Sequence, residues 1–133
     1  MELAWTGTDP TSGRVSFAEH RSDQGGFRSW LNILLTTGTG YTEVRRSDAD
    51  FPLLTFSFKD GYGVVHLFES QEECRLLRGD DVLPSTGTID VPVHDQESAF
   101  SGAYVSTLAR AVATVIAFIE GTPVDGLGDS DRL

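Results

Sequence analysis

The chain has 133 residues, with hydrophobic residues at 39% and charged residues at 23%. That argues for one folded domain and against a disordered or membrane-embedded chain. Twenty acidic residues stand against ten basic ones, net -10, which argues against a nucleic-acid binder or an anionic membrane surface, since both need a basic face.

In chain order, Leu3 and Trp5 alternate with polar neighbours, as do Val15 and Phe17. Asp9-Pro10-Thr11-Ser12-Gly13 between them is a turn signal, so an opening hairpin is expected. Phe27, Trp30, Leu31, Leu34 and Leu35 form one apolar stripe at helical spacing, with Gly25-Gly26 before it and Gly38 after it as boundaries. Tyr41 to Arg46 reads as a short strand. Leu54, Phe56 and Phe58 alternate with Thr55, Ser57 and Lys59, the pattern of a half-buried strand. Asp60-Gly61-Tyr62-Gly63 turns the chain, and Val64 to Glu69 returns. A two-residue or a four-residue loop places Val65 and Leu67 beside Phe56 and Phe58, with His66 on the face of Thr55 and Ser57.

Glu73 to Arg78 is the next expected strand. Ile89, Val91 and Val93 alternate with Asp90, Pro92 and His94, and Pro92 makes this an edge strand because it has no N–H to share. Val105, Leu108, Val112, Val115, Ile116 and Ile119 keep helical spacing, with Ser101 or Ser106 as N-cap and Gly121 then Pro123 as the stop. The expected fold class is α+β, an antiparallel sheet with two helices packed against it. Residues 1–124 are expected to form the single domain. Residues 125–133 read as an acidic, Gly-rich tail that frays.

Cys74 is the only cysteine, which leaves no internal disulfide and no Cys-rich zinc site. The first residues lack a basic n-region and a long apolar run, and no stretch approaches roughly 18 apolar residues, so a cytoplasmic protein is the expectation. His66 and Glu69, three apart in a strand, point to opposite faces. His94 and Asp95 also face apart, and His20 falls in a polar loop stretch. The histidines show no metal-binding spacing, so no metal or cofactor is expected. Thr37-Gly38-Thr39-Gly40 lacks the Gly-Lys-Ser/Thr of a P-loop and reads as a helix C-cap. Cys74 reads as a buried structural cysteine.

Charge is unevenly spread. Residues 1–59 carry net -1, residues 60–100 net -7 and residues 101–133 net -2. An acidic field on the middle segment speeds association with a basic partner.

The second half resembles the Imm1-type immunity proteins of bacterial polymorphic toxin systems. A strand Leu53-Leu54-Thr55-Phe56-Ser57-Phe58 is followed by Asp60-Gly61-Tyr62-Gly63-Val64-Val65-His66-Leu67, then by a short strand ending near Arg78-Gly79-Asp80. A helix closes in a Gly-x-Pro turn through Phe118-Ile119-Glu120-Gly121-Thr122-Pro123, and the helix around Trp30-Leu31-Asn32-Ile33-Leu34 fits as well. Such proteins often end in a short strand containing tryptophan, whereas Val124-Asp125-Gly126-Leu127-Gly128 is a poor strand. The resemblance implies an α+β binding protein without catalysis that neutralises a cognate toxin domain, often a nucleic-acid deaminase or nuclease with a basic cleft. It supplies no contact residues. The charge map nominates Glu72, Glu73, Asp80, Asp81, Asp90 and Asp95, with Tyr62 at the hairpin tip as an exposed aromatic anchor. Two other readings compete: a small enzyme or ligand-binding protein with a site near His66 or Cys74, and a subunit of a homodimer.

Overall fold

In the computed structural model, which describes all 133 residues, Asp60 and Gly61 set the register of the central sheet. They form a two-residue turn between β4 (Leu53–Lys59) and β5 (Tyr62–Phe68), with φ of 53° and 85°. That left-handed pair matches the twist of the flanking strands. Lys59 pairs with Tyr62, so Phe56 lies opposite Val65 and Leu54 opposite Leu67. A slip of one residue would turn this whole apolar set over to the other face.

The sheet grows outward from this hairpin. The remaining strands of its main path are β1 (Leu3–Thr8), β2 (Val15–Ser22), β3 (Thr39–Arg46), β6 (Cys74–Leu77) and β10 (Ser130–Arg132). Their order is β10-β6-β5-β4-β3-β1-β2, antiparallel throughout, and the two-residue β9 (Ser106–Thr107) adds to β5. Thus the expected α+β architecture is present, with α1 (Gln24–Leu35) and α2 (Leu108–Ile119) packed on one face. Phe56 and Phe58 stack at 5.3 Å beneath them and are fully buried, together with Phe27, Leu31, Leu34, Leu54, Leu67 and Ile119. Each such side chain contributes about 1.5–3 kcal/mol by leaving water.

The other face is covered by a separate hairpin, β7 (Thr88–Val93) and β8 (Gln96–Ser101). β7 lies against β3 and β4 and buries Val91 beside Val64, Leu76 and Val105. Pro92 is tolerated because both strands of a two-stranded sheet are edges. Gln96–Ser101 showed no strand pattern in the sequence; its pairing with β7 makes it one.

Three expectations need correction. Helix α1 begins at Gln24, so Gly25 and Gly26 lie inside its first turn; Asp23 caps it by accepting from the Gly26 N–H at 2.9 Å. Neither Ser101 nor Ser106 caps α2. Thr107 does, its Oγ1 accepting from the Arg110 N–H, while Val105 lies outside the helix and is buried in the second cluster. The tail does not fray. Leu127 is buried, and Ser130, Asp131 and Arg132 pair with Leu77, Leu76 and Arg75. Asp131 Oδ2 accepts from the Tyr104 hydroxyl at 2.7 Å and pairs with Arg78 at 2.8 Å. A closing strand therefore exists, later than Val124–Gly128 and without tryptophan. No helix is long and apolar enough to cross a membrane.

Candidate functional site

The nominated carboxylates fall in three places. Glu72 and Glu73 occupy the connection from β5 to β6, which Ser70 Oγ shapes by accepting from both backbone N–H groups. Asp80 and Asp81 follow the far end of β6. Strand β6 and then Arg78-Gly79 separate these two pairs, the four strand residues alone spanning about 13 Å at ~3.3 Å per residue. Asp90 lies on β7 between Ile89 and the buried Val91, and by strand alternation it faces away from the sheet. Asp95 is in the β7–β8 turn. The fold joins Asp80 with Asp81 and Glu72 with Glu73, but it does not gather all six into one cluster.

Two of the six hold the fold. Asp80 Oδ2 accepts from the Thr107 hydroxyl at 2.9 Å and the Thr107 N–H at 3.2 Å, which steadies the cap of α2. Partial burial acts to raise its pKa, but the hydrogen bonds from Thr107 outweigh that and hold the carboxyl below its ordinary value. Asp95 Oδ1 accepts from the Val15 N–H at 2.8 Å and ties the hairpin turn to β2. Tyr62 is not an exposed anchor. It is half-buried against the Val64–Val91 cluster, because strand alternation turns it under the hairpin layer.

Partner accounting separates the acids. Asp60, Glu72, Glu73, Asp81 and Asp90 have no ion pair and no side-chain hydrogen bond. Outside residues 60–100 only Asp50 and Asp129 are in that position. Most of the others pair with arginine or accept from backbone N–H groups, as Glu19 does with Arg45 at 2.6 Å and Glu120 with Arg28 at 3.0 Å, while Glu97 meets Lys59 and Glu43 meets Tyr41 and His94.

The residues that read as chemical candidates occupy other surroundings. His66 stands opposite Thr55, as expected, between Phe68 and Phe100, with ring centroids 6.4 and 5.3 Å away. Burial lowers its pKa, and no carboxylate pairs with it. Cys74 is half-buried, and burial raises its thiol pKa, which disfavours the thiolate. The Ser57 hydroxyl is buried without a hydrogen-bond partner.

Sequence reasoning missed two groupings. Tyr41 donates from its hydroxyl to Glu43 Oε2 at 2.6 Å, and His94 Nε2 lies 3.7 Å from the same oxygen. Burial first, and Glu43 second, push the Tyr41 pKa far up, so the phenol stays a donor. The trio docks the β7–β8 turn onto β3. Tyr41 and Glu43, two apart on one strand, were a legible pair; His94 joins only through tertiary packing.

The second grouping is aromatic. His20 lies on β2, not in a loop, and stacks on Trp5 at 5.4 Å and near Trp30 at 5.9 Å. Phe17, expected in the opening hairpin's apolar alternation, is 78% exposed. The cause is a bulge: Trp5 pairs with His20 and Gly7 with Ser16, so three β2 residues span the single Thr6 of β1. The turn between β1 and β2 is flanked by two clefts, one of about 320 Å³ and one of about 400 Å³. The smaller is lined by Asp9, Asp95, His94 and Glu97 among polar residues and glycines, and the larger by Asp9, His20, Trp30 and Ile33.

The chain matches no protein-family model and no curated protein sequence.

Proposed function

We propose that this protein is an immunity-type binding module that neutralises a cognate, basic toxin domain, such as a nucleic-acid deaminase or nuclease, and that it carries out no catalysis itself. The observation that supports this most is the concentration of unpartnered carboxylates at Asp60, Glu72, Glu73, Asp81 and Asp90, in a segment of net charge -7. Surface acids that stabilise a fold usually find a base or an N–H group, as Glu19 and Asp23 do here. Acids left unpaired on strand connections and on the outward side of β7 keep their full charge for an incoming partner. The sequence resemblance of the second half to Imm1-type immunity proteins points to the same class. A basic cleft that grips nucleic acid would meet an opposite field, which speeds encounter and repels acidic partners.

The test is a pull-down with the toxin domain encoded beside this chain, together with rescue of cells expressing it. Complex formation and rescue are expected. Absence of both sinks the proposal. The association rate should fall as salt rises from 50 to about 500 mM, since the screening length shrinks from roughly 14 to 4 Å. A flat salt response with tight binding would remove the electrostatic part and leave the inhibitor.

A further inference from the structure

The β1–β2 turn carries recognition features apart from the unpartnered acids Asp60, Glu72, Glu73, Asp81 and Asp90. We propose that the two clefts flanking this turn receive an arginine-bearing loop of a basic protein partner; only the partner's being a basic protein rests on the function proposed above. Asp9 lines both clefts. In the larger one, the Trp30 and His20 rings form an aromatic wall beside Ile33, which is 58% exposed. Trp30 leans on the backbone at Gly7, where a Cβ would stand 2.7 Å from the indole. The ring is thus seated before any partner arrives. A planar guanidinium stacks on such a surface and gains cation–π attraction, while Ile33 covers its aliphatic stem.

The smaller cleft supplies the charge. Asp9 Oδ1 accepts from the Thr11 N–H at 2.9 Å, and Asp95 Oδ1 from the Val15 N–H at 2.8 Å. Each carboxylate is oriented by one backbone donor and keeps its second oxygen free for a charge-assisted bond. No arginine or lysine lines either cleft; Lys59 pairs with Glu97 at 3.5 Å, so Asp9 and Asp95 are the carboxylates left without a cation for an incoming guanidinium. Phe17 stands out from the bulge on β2, whose outer edge has no strand beside it. The Phe17 ring lies 6.4 Å from that of His94, which lines the smaller cleft, so an exposed aromatic stands beside the charged cleft as an apolar contact for the partner loop.

The experiment uses the full chain, isotopically labelled, titrated with the acetylated and amidated peptide Gly-Arg-Gly-Arg-Gly and with its glutamate counterpart. The arginine peptide should shift the Trp30 indole N–H and the backbone of Thr8, Asp9 and Val15 saturably; the glutamate peptide should not. Asp9→Asn with Asp95→Asn keeps both Oδ1 acceptors, and so the fold, and should weaken binding about tenfold, as losing two surface charge contacts does. Shifts confined to the surroundings of Glu72, Glu73 and Asp90, or equal shifts with both peptides, overturn the proposal. So does a chain that sediments as a dimer and becomes a monomer on Phe17→Ser, because the edge then belongs to a second copy. The titration needs no toxin, so failure to find a toxin complex leaves it standing. Conversely, toxin rescue with unchanged affinity in the Asp9→Asn, Asp95→Asn variant would retire the clefts and leave the inhibitor.

Discussion

The two faces of the sheet are built by opposite rules. On the helix face, Leu54, Phe56, Phe58, Val65 and Leu67 meet Phe27, Leu31, Leu34, Val115 and Ile119 in one continuous apolar cluster. On the hairpin face, only Val64, Leu76, Val91 and Val105 form a buried apolar group, with Tyr62, Leu83, Ile89, Phe100 and Tyr104 half-buried around it, and polar contacts complete the cover: Tyr41 to Glu43, His94 to Glu43, Asp95 to Val15 and Lys59 to Glu97. Non-directional burial makes the first face stable. Directional contacts, several of them exposed, set the position of the second layer. Recognition features collect on that second layer and at the β2 edge, where they do not disturb the main core.

The sharpest way to break this contrast is by truncation on each face. Phe56→Ala should cost about 3–5 kcal/mol in urea unfolding, because a fully buried ring leaves a cavity. Val91→Ala, under the hairpin, should cost about 2 kcal/mol, with hydrogen exchange rising first in β7 and β8. Equal costs would mean that the hairpin layer is as integral to the core as the helices.

A smaller effect comes from pH. Asp80 and Asp131 have lowered pKa values. Asp131 is held down by the Tyr104 hydroxyl first and Arg78 after it, against a raising effect of partial burial. A depressed carboxyl contributes stability above its unfolded value near 3.8, lost as pH falls through the folded value. Thermal midpoints should therefore drop below about pH 4, and Asp80→Asn with Asp131→Asn should flatten that drop. His66 acts higher. Its folded pKa lies below the ordinary 6.5, so the unfolded chain takes up the proton first and stability declines as pH falls from 6.5. His66→Leu should remove that slope; an unchanged slope assigns it to another group.

The smallest expected effect is on the unpartnered acids. Glu72→Gln, Glu73→Gln, Asp81→Asn and Asp90→Asn together should leave stability within about 0.5 kcal/mol, since none has a contact to lose. A larger loss in urea unfolding would show that these side chains support the fold, which would weaken their nomination for binding.

Short-range pattern carried much of this architecture. The strand at Leu53–Lys59, its Asp60-Gly61 turn, the face of His66 and both helix stripes follow from periods of 2 and 3.6 and from turn chemistry. What the pattern left out depends on distant partners. Gln96–Ser101 becomes a strand because β7 offers it a ladder, and Ser130–Arg132 because β6 has a free edge. Thr107, not a serine, caps α2 because Asp80 holds it from another connection.

Pattern along the chain defines the α+β class, which side chains of the central hairpin share a face, and the acidic bias of residues 60–100, all local or additive properties. Tertiary packing sets which acids remain unpartnered, that Tyr62 turns inward while Phe17 turns out, and that Asp9, His20, Trp30 and Asp95 frame one pair of clefts. Those outcomes depend on which residues distant in the chain become neighbours, and spacing along one chain does not encode that directly.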